Sequence, residues 1–226
     1  MSTTAAVAGT LSTFLVRLAD FAEPSPHDDV LDVCCGPSLM THALDGRVGR
    51  ITAAAIGAGD SGQSGQVHAD PTALPFADGS FSLVTARFAL HRLADPAAAL
   101  AEMLRVCHPS GRIVVADLSR TNLSSDHRDA LERVRDPGFR SIPRIDDLIG
   151  MVEGAGARIT GMDLLSVERP AAPWLEAAPD PRIAERLREV LLAEVDGGPK
   201  TGASPRVIGG ELWFTQTWAH LAARPR

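Results

Sequence analysis

The chain has 226 residues, with 45% apolar and 22% charged side chains, enough to bury one substantial core in a soluble globular protein. Its net charge of −6 and pI near 5.6 offer no basic surface to nucleic-acid phosphates or anionic lipid headgroups, so neither a nucleic acid nor a membrane is expected as a partner. Three cysteines, two of them adjacent, with no CxxC or spaced histidine pair, make neither a disulfide framework nor a metal site, and the absence of tyrosine excludes a tyrosine acid or base.

Across residues 4–22, Ala5, Leu11, Phe14, Leu15, Leu18 and Phe21 fall at helical spacing, and EPSPHDD ends that helix. Arg17 and Asp20 interrupt the apolar run, and no early basic cluster marks a signal peptide; with reduced cysteines this gives an expected cytoplasmic location. Val30–Cys34 is a short apolar run between turn residues and predicts a buried strand, followed by a turn at Cys34–Ser38 and a short helix over 38–45. Arg50–Ile56 predicts a second strand, and GAGDSGQSGQ after it a loop. Short strands are expected at Val67–Ala69 and Ser82–Ala86. A helix is expected over Asp95–Val106, with Asp95 as N-cap and Pro96 at its first position. A turn at Pro109–Gly111 precedes a strong strand, Arg112–Leu118; helices over 124–134 and 144–154 and a strand at Arg158–Val167 follow. Residues 169–210 are rich in Pro and Gly around one helix, Pro181–Val195, and ELWFTQTWAHLAAR predicts a last strand. Strands alternating with helices imply an α/β domain with a parallel sheet and helices on both faces, its ligands at the carboxyl ends of the strands. That places Cys34–Ser38, the loop after Ile56, Asp70 and Arg87–His91 around one crevice.

The segment DPTALPFADGSFSLVTARFALHRLADPAAALAEMLRVCHPSGRIVVADL resembles the central part of class I S-adenosylmethionine (SAM)-dependent methyltransferases, in a small-molecule branch similar to the ubiquinone and menaquinone methyltransferases. The resemblance runs from about residue 10 to the C-terminus and is strongest over 70–118. It implies a single Rossmann-like domain over 1–226. The sheet would have seven strands, the last antiparallel and formed by 211–223; an N-terminal helix within 1–26 and part of 120–210 would cover the substrate side.

The same resemblance assigns Asp32, Gly36 and Asp70 to SAM binding. Four departures fall in that half. Cys34 and Ser38 stand where the family has glycines that let the backbone approach the cofactor. Ala55 stands where an acid accepts from the ribose hydroxyls. Only fifteen positions separate Ala55 from Asp70, too few for the usual helix and strand. Two hydrogen bonds to a charged acceptor, each about 1.5–3 kcal/mol, correspond to roughly two to four orders of magnitude in affinity if nothing replaces them. The cofactor expectation is therefore none, or weakly bound SAM.

His91, an imidazole of the kind that takes up and releases protons in catalysis, is the first catalytic candidate, against a structural histidine in the turn before Asp95. Arg87 is the second, to orient an anionic or carbonyl oxygen, against an ion pair with a nearby carboxylate. Cys34 and Ser38 are candidates for the substrate pocket, Cys34 against an inert space-filling thiol. Asp117 is a further pocket candidate, against turn capping. Trp174, Trp213, Trp218, Phe139 and Phe214 are expected in an apolar wall or in the core, and of the consecutive Trp213 and Phe214 only one can face inward.

Three functions follow. One is an enzyme of specialised small-molecule metabolism with an eroded SAM site, catalysing a SAM-independent step such as cyclisation or isomerisation of an apolar substrate. Another is a SAM-dependent O-, N- or C-methyltransferase. The last is a non-catalytic partner of an active methyltransferase. A homodimer is compatible with each.

Overall fold

The apolar run after Pro26 and His27 becomes the central strand of the sheet, β1 (Asp29–Cys34), five of whose six residues are buried. The computed structural model describes residues 13–34, 39–56, 66–120 and 127–226. Parallel neighbours of β1 are β2 (Arg50–Ile56) and β4 (Phe81–Arg87); β3 (Val67–Ala69) pairs with β2, and β5 (Cys107–Ser119) with β4. The direction then reverses. β8 (Glu211–Pro225) runs antiparallel to β5, and β6 (Ala157–Pro170) antiparallel to β8, which returns β6 to the common direction. The order is β3-β2-β1-β4-β5-β8-β6.

The sheet has eight strands rather than the expected seven. The additional strand, β7 (Arg206–Ile208), folds onto β8 through Gly209 and Gly210, both at positive φ as a tight hairpin requires. At three exposed residues it has no alternating pattern to read.

Helices cover both faces. On one, α1 (residues 13–21) and α2 (Leu39–Leu44) lay Leu18, Met40 and Leu44 on Val30, Leu83 and Val114. On the other, α3 (Pro96–Val106) and α5 (Ile145–Gly154) pack Leu100, Met103, Leu148 and Val152 on Leu31, Val33, Val84 and Val115. Asp95 caps α3 by accepting from Ala98 N at 2.9 Å, with Pro96 next in line. A separate cluster joins α4 (His127–Arg135), α6 (Ala171–Glu176) and α7 (Pro181–Val195) over the start of β8 through Leu131, Trp174, Leu187, Leu191 and Phe214.

Two expectations need correction. The segment 169–210 holds α6 and β7 as well as α7: six residues of α6 are too few to show a helical period, but Ala171, Trp174 and Leu175 bury one side of it. The turn at Pro109–Gly111 lies inside β5, because Cys107 already pairs with Phe81 and the ladder resumes at Arg112 opposite Leu83. Gly111 is required there, since a Cβ would lie 2.7 Å from Ser82 O.

One buried ion pair fastens the edge of this scaffold. Arg112 Nη2 donates to Asp28 Oδ2 at 2.6 Å and to Glu23 O at 2.7 Å, and its Nε to Ala22 O at 2.8 Å, tying the end of α1 to β5.

Candidate active site

Register sets the floor of the crevice. His68, Ala55, Cys34, Arg87, Ala116 and His220 are successive partners across β3, β2, β1, β4, β5 and β8, so their side chains share one face of the sheet. Two residues earlier on β1 and β4, Asp32 and Thr85 are partners, and Thr85 Oγ1 donates to Asp32 Oδ1 at 2.7 Å in a buried setting. The parallel strands end here, at the switch in order between β1 and β4.

On the β1–β3 side, Cys34 is buried, its thiol 3.6 Å from Ala54 O, with Gln66 Nε2 at 4.0 Å. Ala55, beside it, offers a methyl group and no acceptor. Asp70 is exposed; its carboxylate accepts from Thr72 Oγ1 at 2.7 Å and Thr72 N at 2.8 Å, and these bonds, the hydroxyl's first, hold it below the usual carboxylate range. Gly36, Ser38, Cys35, Pro37 and most of the loop after Ile56 lie outside the described residues.

On the β4–β6 side the chain turns sharply. Phe88, directly after β4, has φ +50°, a conformation that a bulky non-glycine residue adopts at a cost of order 1–3 kcal/mol. Its amide donates to Ala116 O at 2.7 Å, and its ring meets Trp218 edge-on at 4.9 Å, which holds the turn. The short 3₁₀ turn Leu90–Arg92 then carries His91 inward to 8% exposure.

Asp117, near the end of β5 and fully buried, organises that turn. It accepts from Leu90 N at 2.7 Å, His91 N at 3.3 Å and Leu118 N at 2.6 Å, and its Oδ1 lies 2.5 Å from His91 Nδ1. A carboxylate can only accept, so Nδ1 donates and Nε2 is left as the acceptor of neutral His91. Asp117 thus both caps the turn and fixes the tautomer of His91.

Arg87 forms no hydrogen bond or ion pair among the described residues. Its guanidinium lies over the Phe88 ring, 4.4 Å from the centroid. Burial pushes it toward its neutral form, Arg169 repels it, and Asp32 and Asp117 draw it back at longer range.

Beyond these strand ends lies a cavity of about 250 Å³, walled by Phe88, His91, Phe139, Arg169, Trp174 and Gln216. A second, of about 500 Å³, shares Phe139 and is lined by Leu90, Leu93, Arg140 and Met151. Trp218 packs between Phe14 and Phe88, and Phe214 faces inward at 1% exposure while Trp213 is half-buried.

Sequence reasoning missed Glu132 and Arg169. Glu132, 1% exposed, accepts from Arg128 Nη2 at 2.6 Å, Arg135 Nε at 3.0 Å and Trp174 Nε1 at 3.1 Å. Burial raises its pKa, but the two guanidiniums outweigh that and hold it low. A helical i,i+3 and i,i+4 arrangement of Arg128, Glu132 and Arg135 was the available signal. Among the described residues no group of acids, histidines and cysteines could hold a metal ion, and no helix is long and apolar enough to cross a membrane.

Fold and strand-end crevice define a class I methyltransferase-type α/β protein, and residues 31–115 match the methyltransferase domain family. The chain is thus similar to class I SAM-dependent methyltransferases, in sequence over its central part and in fold over most of its length. It is 41% identical over 100 residues to a demethylmenaquinone methyltransferase of Mycolicibacterium vanbaalenii, a match covering 42% of this chain and 44% of that protein. The match thus spans under half the length of that relative. In fold it is similar to a candidate methyltransferase from Bacillus halodurans (TM-score 0.78, 22% identity, 94% of this chain and 99% of that one). It is also similar to the [4+2]-cyclase SpnF (TM-score 0.55, 20% identity, 93% and 80%).

Proposed function

We propose that the protein is an enzyme of specialised small-molecule metabolism that has kept the methyltransferase fold and lost ordinary SAM binding, and that it catalyses a step such as cyclisation or isomerisation. The observation that carries this is the pairing of Cys34 with Ala55 at the strand ends. A thiol and a methyl group stand where the family has a glycine and a ribose-binding acid. Asp32 and Asp70 fit the cofactor; Ala55 does not, and no step is routed through it.

The substrate side supports catalysis by this chain's own groups. An apolar body fits against Phe88, Phe139 and Trp174, and His91 Nε2, with Asp117 behind it, removes a proton at one carbon and returns it at another. Such a rearrangement needs no co-reactant, and positioning in a walled cavity lowers its barrier. Among fold neighbours, SpnF is a [4+2]-cyclase.

The second reading, a SAM-dependent methyltransferase of a small molecule, is favoured by the retained Asp32 and Asp70 and by the identity to demethylmenaquinone methyltransferases. Titrating SAM and S-adenosylhomocysteine into the protein separates the two: saturable binding at micromolar levels selects the second, and its absence the first.

A further inference from the structure

Three arginines line the smaller cavity, and two of them are already neutralised. Arg92 is bonded to Asp136, and Arg135 to Glu132 at 3.0 Å. The third, Arg169 at the end of β6, has no carboxylate partner among the described residues. Its Nη1 donates to Gln216 Oε1 at 3.0 Å; its Nε is buried without a partner, and its Nη2 has none among the described residues. Burial works against its charge, and Arg128 and Arg135 repel it, with only Glu132 opposing. Glu132 itself is engaged by Arg128, Arg135 and Trp174. Arg169 in turn repels Arg87, which has no ion pair among the described residues.

A guanidinium cannot shed its proton, so a buried one lacking an anion remains an unsatisfied charge. Nε is sealed from the cavity, so the donor left for a ligand is Nη2, which can give a charge-assisted hydrogen bond to one carboxylate oxygen. We propose that Arg169 is a specificity-determining residue that binds the carboxylate of the substrate, an apolar acid whose body lies against Phe88, Phe139 and Trp174 with its reacting carbon at His91. Arg87 adds long-range attraction for the same anion. Gln216 holds the guanidinium in place through Nη1 and leaves Nη2 for the ligand.

This rests on the β4–β6 cavity being the substrate side, and not on the state of the SAM site, so tight SAM binding with an intact acid preference would remove the first function and leave this one standing. The probes are octanoate and octanamide, isosteric and differing in charge, titrated calorimetrically into the full chain. Octanoate is expected to bind about tenfold or more tighter than octanamide. Arg169→Gln is expected to equalise the two while leaving octanamide unchanged. If that variant does not fold, as judged by circular dichroism, Arg169→Lys keeps the charge but displaces the donor from the Nη2 position and is expected to lose several-fold for octanoate alone. Equal binding of the two probes to the unmodified protein, no octanoate binding, or an undiminished preference in the folded Arg169 variant overturns the proposal.

Discussion

Cys34 and Ala55 are direct partners across the β1–β2 ladder, and both are buried at the carboxyl end of the sheet. On the function proposed above, each stands where the methyltransferase family uses a residue on SAM, and their adjacency would make one local change of two separate substitutions. If the pair removed the ribose contact, rebuilding it should restore some affinity. Cys34→Gly combined with Ala55→Asp is expected to raise affinity for S-adenosylhomocysteine by about tenfold or more, the equivalent of one charged hydrogen bond. Isothermal titration of both proteins checks this; an unchanged affinity would show that these two positions do not limit binding.

Asp117 and His91 predict a split between stability and catalysis. Asp117→Asn faces an amide NH₂ toward N–H donors and is expected to cost about 2–4 kcal/mol. In a chain of this size that lowers Tm by roughly 4–16 °C, readable by calorimetry. His91→Gln leaves the carboxylate its backbone partners and is expected to keep most of the stability while abolishing turnover. Nitrogen-resolved imidazole spectra of the unmodified protein should show neutral His91 protonated at Nδ1; protonation at Nε2 would contradict the assigned tautomer.

His220 predicts a pH dependence of folding. It is 2% exposed, its Nδ1 has no partner among the described residues, and burial, with Arg17 and Arg87, pushes its pKa down to about 4 against the pull of Asp163. An unfolded histidine titrates near 6.5, so between about pH 6.5 and 4 the unfolded state binds the extra proton. Stability from this group is present above pH 6.5 and falls as pH drops through that window, by at most about 3 kcal/mol. Urea denaturation from pH 7 to 4 should show this slope, and His220→Gln should flatten it.

Arg112 and Asp28 predict a structural rather than catalytic effect. Burial raises the Asp28 pKa, but bonds from Arg112, Ser82 and Ser25 outweigh it and hold the carboxyl below its usual value. Arg112→Met leaves Asp28 buried without its countercharge and frees the carbonyls of Ala22 and Glu23. A loss of about 3–5 kcal/mol is expected in chemical denaturation, with loosened amide protection in α1. A loss under about 1 kcal/mol would mean that the pair behaves like a surface contact.

Much of the scaffold was legible because local signals agreed with tertiary demands. Val30–Cys34 is apolar because β1 is covered on both faces, and Asp95-Pro96 announces α3 through capping chemistry alone. The family segment fixed Arg87, His91 and Asp117 at the strand ends. What stayed hidden depends on long-range placement. Arg169 lies past the strand expected at Arg158–Val167, in a stretch read as Pro- and Gly-rich, whereas β6 runs on to Pro170; only the docking of α4 and α6 above it reveals a guanidinium with no carboxylate partner among the described residues. The tautomer of His91 could not be read either, since Asp117 lies 26 residues away. β7 was missed for shortness, although Gly209-Gly210 is a hairpin signal in its own right.

The central claim, a methyltransferase fold whose cofactor side no longer binds SAM in the ordinary way, is tested most directly by isothermal titration of the full chain with SAM and S-adenosylhomocysteine. The account predicts no saturable heat at micromolar ligand. A saturable isotherm with a dissociation constant in the micromolar range or below would contradict it and assign the protein to the SAM-dependent methyltransferases in activity as well as in fold.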